Sequence, residues 1–208
     1  MQDSSRRPIA VHWAPPDGCT LSLVLSSHTI NVSLYKKINY DLVKDFAPVS
    51  LLASSPFLFV VHPSLPVRNV KEFIALSRNT RGGLSCTSSG AGLLAHLAME
   101  SLKSQDNFEA THIPHRGTGP AMMDTEAGRV TANFPMMISG LQNEKAKRLK
   151  ALVVTSLQRT TLLPEVPTVA DQGLADYAVN GCYGRLAPAN SRQKVIALLH
   201  EEAAGPYA

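Results

Sequence analysis

Three cysteines in 208 residues, a single tryptophan and no long apolar run set the first limits on this chain. Cys19, Cys86 and Cys182 are far apart, odd in number and never in a CxxC spacing. That pattern supports neither a disulfide framework nor a zinc site, so no metal is expected. The longest apolar stretches, 21–25 and 57–61, fall far short of the ~20 residues that cross a bilayer. Residues 1–13 include Arg6 and Arg7 but lack the apolar segment of a secretory leader, so no signal peptide is read in this chain. Charge is sparse as well: charged residues make up 17% of the chain, and the formal balance of +4 is spread along it. A nucleic-acid binder of this size would gather its charge into a basic stripe. Only Lys145, Lys147, Arg148 and Lys150 approach that, and they read as a solvated helix end, so no nucleic acid is expected as partner. No tandem repeat or low-complexity tract is visible.

What is present is the composition of a globular protein, 44% hydrophobic with mean hydropathy near zero, long enough for one or two domains with a real core. Short apolar runs alternate with helical patterns. Strands are expected over 21–26, 49–53, 57–62, 84–87, 111–113, 130–134 and 149–156, with 179–186 extended. Helices are expected over 70–78, from near 91, from 118, over 138–145, and after Ser191. Asn69 is a fair N-cap with Glu72 at capping-box spacing, and Val70, Phe73 and Ile74 share a face. Leu94, Leu97, Ala98 and Leu102 form a second stripe. Pro120 suits a first helical turn. Thr168 caps a short turn that stops at Gly173, and Ser191 caps a final helix with Val195, Ile196 and Leu199 inward. Such alternation implies an α/β architecture with a largely parallel sheet.

Three segments could carry chemistry. Thr87-Ser88-Ser89-Gly90-Ala91-Gly92 lies between a strand and a helix. A helix N-terminus offers free N–H groups and partial positive charge, glycines admit a ligand to the backbone, and serine hydroxyls add donors. The turn reads either as a cradle for carboxylate or phosphate, or as an ordinary tight turn with Ser89 as cap. It is neither a P-loop nor GxGxxG. In the second segment, His112 to Pro120, Arg116 could pair with an anion and Thr118 could donate to one; His115 reads as a rim side chain. The third, Ser26 to Asn31, follows a strand and places Ser27, His28 and Thr29 together. Adjacent Ser27 and His28 do not suit a triad, and GxSxG is missing. His96, inside an apolar helix, reads as a satisfied core or helix–loop histidine.

Read in order, these segments resemble a known family. Pro16-Asp17-Gly18-Cys19-Thr20-Leu21, Leu34-Tyr35-Lys36-Lys37, Tyr40-Asp41 and Lys44-Asp45-Phe46-Ala47-Pro48-Val49 match its N-terminal signatures. Ser88-Ser89-Gly90 through His96-Leu97-Ala98, His112-Ile113-Pro114-His115-Arg116-Gly117, Leu163-Pro164-Glu165-Val166-Pro167-Thr168 and Leu186-Ala187-Pro188-Ala189 continue the series. The chain is similar to the Bug-type periplasmic solute receptors of tripartite tricarboxylate transporters. The resemblance implies the type II periplasmic binding protein class: two α/β lobes around a ligand cleft. The first lobe would hold 1–60 and 156–208, the second 61–155. It implies a small carboxylate ligand, membrane transporter subunits as partners, a periplasmic location, no cofactor and no catalytic residue. Ser88, Ser89, Gly90, Ala91 and Gly92 would hold the carboxylate with Arg116 and Thr118 beside them, and Ser27, His28 and Thr29 would come from the other lobe.

The sequence also departs from the family. The usual leader and "PFPPGG" loop are missing before Pro15, and the chain stops soon after 186–189, so the first lobe is expected to be incomplete, to expose apolar surface, and to bind dicarboxylates poorly. Leu93 and Leu94 replace small hydroxyl residues, Thr125-Glu126 replaces an apolar pair, and Pro135 stands where an acidic residue is common. Two other classes stay open: an enzyme acting on a phosphorylated or carboxylate substrate at the 88–92 turn, with His115 as the only base, and a scaffold pairing two chains through apolar surface.

Overall fold

The computed structural model describes Val11, residues 13–36 and residues 38–203. The reading of a missing leader falls largely outside these residues. In chain order the elements are β1 (Ser22–Leu25), α1 (Ser26–Leu34), β2 (Phe46–Pro56), β3 (Leu58–Val61), α2 (Val70–Asn79), β4 (Leu84–Ser88), α3 (Leu94–Asp106), β5 (Ala110–Pro114), α4 (Thr118–Glu126), β6 (Ala132–Asn133), α5 (Met137–Lys145), β7 (Lys150–Val154), a 3-10 turn (Ala170–Gln172), β8 (Asn180–Pro188) and α6 (Gln193–Ala203). The chain divides into two compact units. One runs through Ser54 and resumes at Gly181; the other is Ser55–Asn180. The boundaries expected from the sequence were 60/61 and 155/156, so 55–60 and 156–180 fall in the second unit. The apolar chain itself explains this: β3 pairs with β6 and β7 and Phe57 bridges Met136, while Val166, Val169 and Tyr177 join the apolar clusters against that sheet.

The second unit is built on a five-stranded sheet in the order β5-β4-β6-β3-β7. β4 pairs in parallel with β5 and β6, whereas β3 runs against both β6 and β7. The expectation of a largely parallel sheet therefore needs one correction, a reversed strand among four that run together. β3 is apolar at every position and fully buried, as a central strand covered on both faces must be. Phe59 and Val61 face one cluster, Leu58 and Val60 the other. Phe59 stacks on Phe134 (4.7 Å between ring centres) and meets Phe73 edge-on at 4.8 Å. Tyr177 is buried against α3, where its hydroxyl donates to the Ala98 carbonyl at 2.7 Å.

Local signals behave as their chemistry dictates. Asn69 Oδ1 accepts the Glu72 N–H at 2.8 Å and starts α2, which buries Val70, Phe73 and Ile74. The Glu72 carboxylate takes the Arg68 N–H rather than that of Asn69, so the box closes one residue early. Thr168 Oγ1 accepts the Asp171 N–H, and the turn stops at Gly173 in the left-handed region (φ +106°).

The first unit holds a three-stranded sheet with β8 between β1 and β2. β1 and β8 are antiparallel, with Ser22 opposite Leu186 and Leu25 opposite Tyr183. Its buried cluster is small: Val11, Tyr40 and Phe46, with Ile38, Leu42 and Leu186 packed against it. Leu23, Val43, Leu51 and Leu198 are each more than half exposed. α6 buries no residue; Val195, Ile196 and Leu199 are only half-buried. Ser191, expected to cap α6, instead has a buried hydroxyl with no hydrogen bond among the described residues. The Ser26–Asn31 stretch, expected only to follow the first strand, is helical from Ser26, so Ser26 itself leaves the strand expected over 21–26.

Candidate functional site

Parallel pairing sets Ser88 opposite Pro114. The turn from β4 to α3 and the turn from β5 to α4 therefore leave the same edge of the sheet side by side, the edge where α/β folds place ligands. Two backbone bonds tie them together: the His115 N–H donates to Ser88 O and the Gly117 N–H to Ser89 O, both at 3.0 Å.

Within the first turn, Ser88 is 1% exposed and its hydroxyl is saturated. It donates to Gly90 O (2.9 Å), accepts the Gly90 N–H (3.3 Å) and meets His112 Nε2 at 2.8 Å. The Gly92 N–H donates to His96 Nδ1 at 3.1 Å. Ser88, Gly90 and Gly92 thus direct polar groups into the protein. The N–H groups of Ser89 and Ala91 and the Ser89 hydroxyl have no partner among the described residues. α3 begins at Leu94 rather than near 91, with Leu93 as N-cap making no side-chain bond, so Ser89 is not the cap. The first turn of α3 carries no acidic residue to neutralise its partial positive end. Free donors and that end together make a place for an anion.

Behind the turn, His96 and His112 stack with ring centres 3.8 Å apart. Burial first, and the neighbouring His96 second, push His112 down to about 4, so its ring is neutral at neutral pH. His96 Nε2 lies 3.6 Å from Glu100, whose carboxylate also accepts from Lys103 Nζ at 3.0 Å. His115 bridges Thr87 Oγ1 (2.6 Å) and Asp124 (2.7 Å). His115 and Arg129 together hold the Asp124 carboxyl below the usual range. His115, read from sequence as a rim side chain, is oriented by Asp124. The Cys86 thiol is buried and pushed up to about 12, so it is no nucleophile.

Arg116 and Thr118 are exposed beside this turn; Thr118 opens α4 behind Gly117 (φ +113°), and no ion pair holds Arg116 among the described residues. Ser27, His28 and Thr29 form the first turn of α1, in the other unit. His28 is buried and its Nδ1 accepts the Leu25 N–H at 3.1 Å, with burial lowering its pKa. Thr29 donates to Ser26 O. Of the three, Ser27 alone keeps a side chain without a hydrogen bond among the described residues. Sequence reasoning missed the Ser88–His112 pair. The strand register alone could have found it, since Cys86 lies opposite His112 and Ser88 is two residues further along the same face.

The family model described as "Tripartite tricarboxylate transporter family receptor" matches residues 9–205. The chain belongs to this receptor family. It is 37% identical over 190 residues to a "UPF0065 protein in tcbD-tcbE intergenic region" of Pseudomonas sp. (strain P51), covering 91% of this chain and 56% of that protein. It is 31% identical over 186 residues to "Protein BugT" of Bordetella pertussis, covering 88% and 57%. The chain thus spans little more than half the length of these relatives. Among solved structures, "R. palustris Rpa4515 with adipate" superposes with a TM-score of 0.88 at 26% identity, covering 96% of this chain and 67% of that one. "MatC (Rpa3494) from Rhodopseudomonas palustris with bound malate" gives 0.82 at 27%, covering 92% and 66%. "Structure of periplasmic binding protein BugD" gives 0.83 at 27%, covering 94% and 65%. The fold is that of these periplasmic binding proteins, and the family is one of substrate-binding receptors. Among the described residues no helix is long and apolar enough to cross a membrane.

Proposed function

We propose that this receptor-family chain captures a small carboxylate in the periplasm for the membrane subunits of a tripartite transporter, with each compact unit serving as one lobe. The observation that carries this reading is the 88–92 turn: its Gly90 and Gly92 N–H groups are held by Ser88 and His96, while those of Ser89 and Ala91 have no partner among the described residues, at a helix start lacking acidic side chains. A dicarboxylate of the kind named with the two R. palustris structures, adipate or malate, matches that chemistry. The binding residues would be Ser89, the N–H of Ala91, Arg116 and Thr118, with Ser88, Gly90 and Gly92 shaping the turn and Ser27, His28 and Thr29 the corresponding helix start of the other lobe. The enzyme reading finds no exposed nucleophile paired with a base at the 88–92 turn among the described residues: Ser88 is buried with its hydroxyl bonded to Gly90 and His112, and His115, though oriented by Asp124, bonds Thr87 rather than a serine of the turn.

Titration calorimetry of the full chain with adipate and malate tests the proposal, with glucose 6-phosphate and ATP as the competing class. Heat from a carboxylate and none from the phosphates is expected. Ser89→Ala removes one hydrogen bond to a charged oxygen and should weaken that binding by about 1.5–3 kcal/mol. Phosphate-ester binding without carboxylate binding would sink the proposal.

A further inference from the structure

We infer that His96 is a positioning residue of the carboxylate turn, acting through the Gly92 N–H. The inference rests on the carboxylate reading above and deepens it. His96 occupies the third position of α3, counting from its N-cap Leu93. A side chain there that reaches back to accept an N–H at the helix start closes the entry turn, a role ordinarily filled by Glu or Gln. Here an imidazole fills it, with Gly92 N–H to His96 Nδ1 at 3.1 Å. A related bond appears at α1, where His28, third after its N-cap Leu25, accepts the N–H of the N-cap itself at 3.1 Å, while His96 reaches one residue further back. Both helix starts that the sequence marks as ligand turns are closed by a histidine in this position.

The ring is fixed on its other sides. His112 of β5 stacks on it and in turn holds Ser88, so one pair of rings grips both ends of the 88–92 turn. On its own helix, Glu100 faces Nε2 at 3.6 Å and Lys103 pairs with Glu100. From β4 the buried Cys86 thiol is neutral, and beyond His112 lies His115. The 90–93 turn closes through Leu93 N–H to Gly90 O and passes through Gly92 in the left-handed region (φ +75°), so holding the Gly90 and Gly92 N–H groups fixes the peptide planes between them, including the one that carries the unpartnered Ala91 N–H. Nδ1 can hold the Gly92 N–H only as an acceptor, so a side chain replacing His96 must offer an acceptor in the same place.

The experiment uses the full chain, its His96→Gln and His96→Ala variants, and adipate and malate as probes. Gln supplies an amide oxygen that also accepts. Two quantities are read: probe affinity by calorimetry and exchange of the Gly92 amide hydrogen by NMR. His96→Ala should weaken binding by roughly tenfold and speed Gly92 exchange, a loss the size of one hydrogen bond. His96→Gln should restore both. Affinity that His96→Gln does not restore, or Gly92 exchange unchanged in His96→Ala, would overturn the role of His96 while leaving the carboxylate reading intact. Failure of the unaltered chain to bind either probe would overturn the carboxylate reading and take the positioning role with it.

Discussion

The two compact units of this chain use comparable secondary structure to very different effect. The second unit sandwiches a five-stranded sheet between two apolar clusters and buries whole runs such as Leu58–Val61. The first has a three-stranded sheet, a cluster around Val11, Tyr40 and Phe46, and leucines and valines left in solvent. Apolar burial contributes about 25 cal/mol per Å², so stability is concentrated where both faces of a sheet are covered. The lesson is that strand count matters less than coverage: Leu51 sits in a strand and is 67% exposed, while Phe59 sits in one and is fully buried.

The strongest way to break this contrast is by excision. A 55–180 fragment keeps β3, Val166, Val169 and Tyr177, and should unfold as one cooperative transition by circular dichroism. A 61–155 fragment, the lobe that sequence alone suggests, loses all but the last residue of β3 and the lower core, and should show no such transition. Equal melts for the two fragments would mean the second unit does not depend on its closing segment. Next comes a matched pair of point substitutions followed by urea denaturation. Phe59→Ala should cost about 3–5 kcal/mol, as for other buried aromatics. Leu51→Ala should stay within about 0.5 kcal/mol, as expected for an exposed site. A cost at Leu51 approaching that at Phe59 would show that something covers the first sheet in solution.

The smallest expected effect is in pH. His112 is held at about 4 in the fold against an ordinary 6.5, so the unfolded chain takes up a proton first as pH falls. The stability His112 contributes is whole above pH 6.5, shrinks between there and about 4, and is gone below. His28, lowered by burial, adds to the same trend. The melting temperature should therefore slope downward over that window, and His112→Gln should flatten the slope. An unchanged slope would place the dependence elsewhere.

How much of this was legible depends on what each feature requires. α2 was legible because Asn69 and the spacing of Val70, Phe73 and Ile74 are local signals, and the structure uses both. β3 was legible as an apolar run, but its reversed direction was not, because strand direction is set by partners such as β6 and β7. α1 was missed because Ser26, Ser27 and Thr29 are mediocre helix formers; the cap that starts it is His28, reaching back in a way no propensity encodes. At the site, the glycines and serines of 88–92 announced a turn. Which donors face inward depends on His96 and His112 arriving from different elements, and that is a property of register rather than of sequence.

The place of β8 in its sheet has a consequence for how the chain is made. The second unit is one uninterrupted stretch, Ser55–Asn180, and all its strands are available once that stretch has left the ribosome. The first unit is not. Its sheet runs β1-β8-β2, so the middle strand is the last one synthesised, and until it arrives β1 and β2 lack the neighbour they share. For the time it takes to translate from Pro56 to Asn180, on the order of ten seconds at about 5–20 residues per second, that half waits with open strand edges. Unpaired edges are where chains aggregate, so the nascent first half is the segment of this protein most in need of a chaperone.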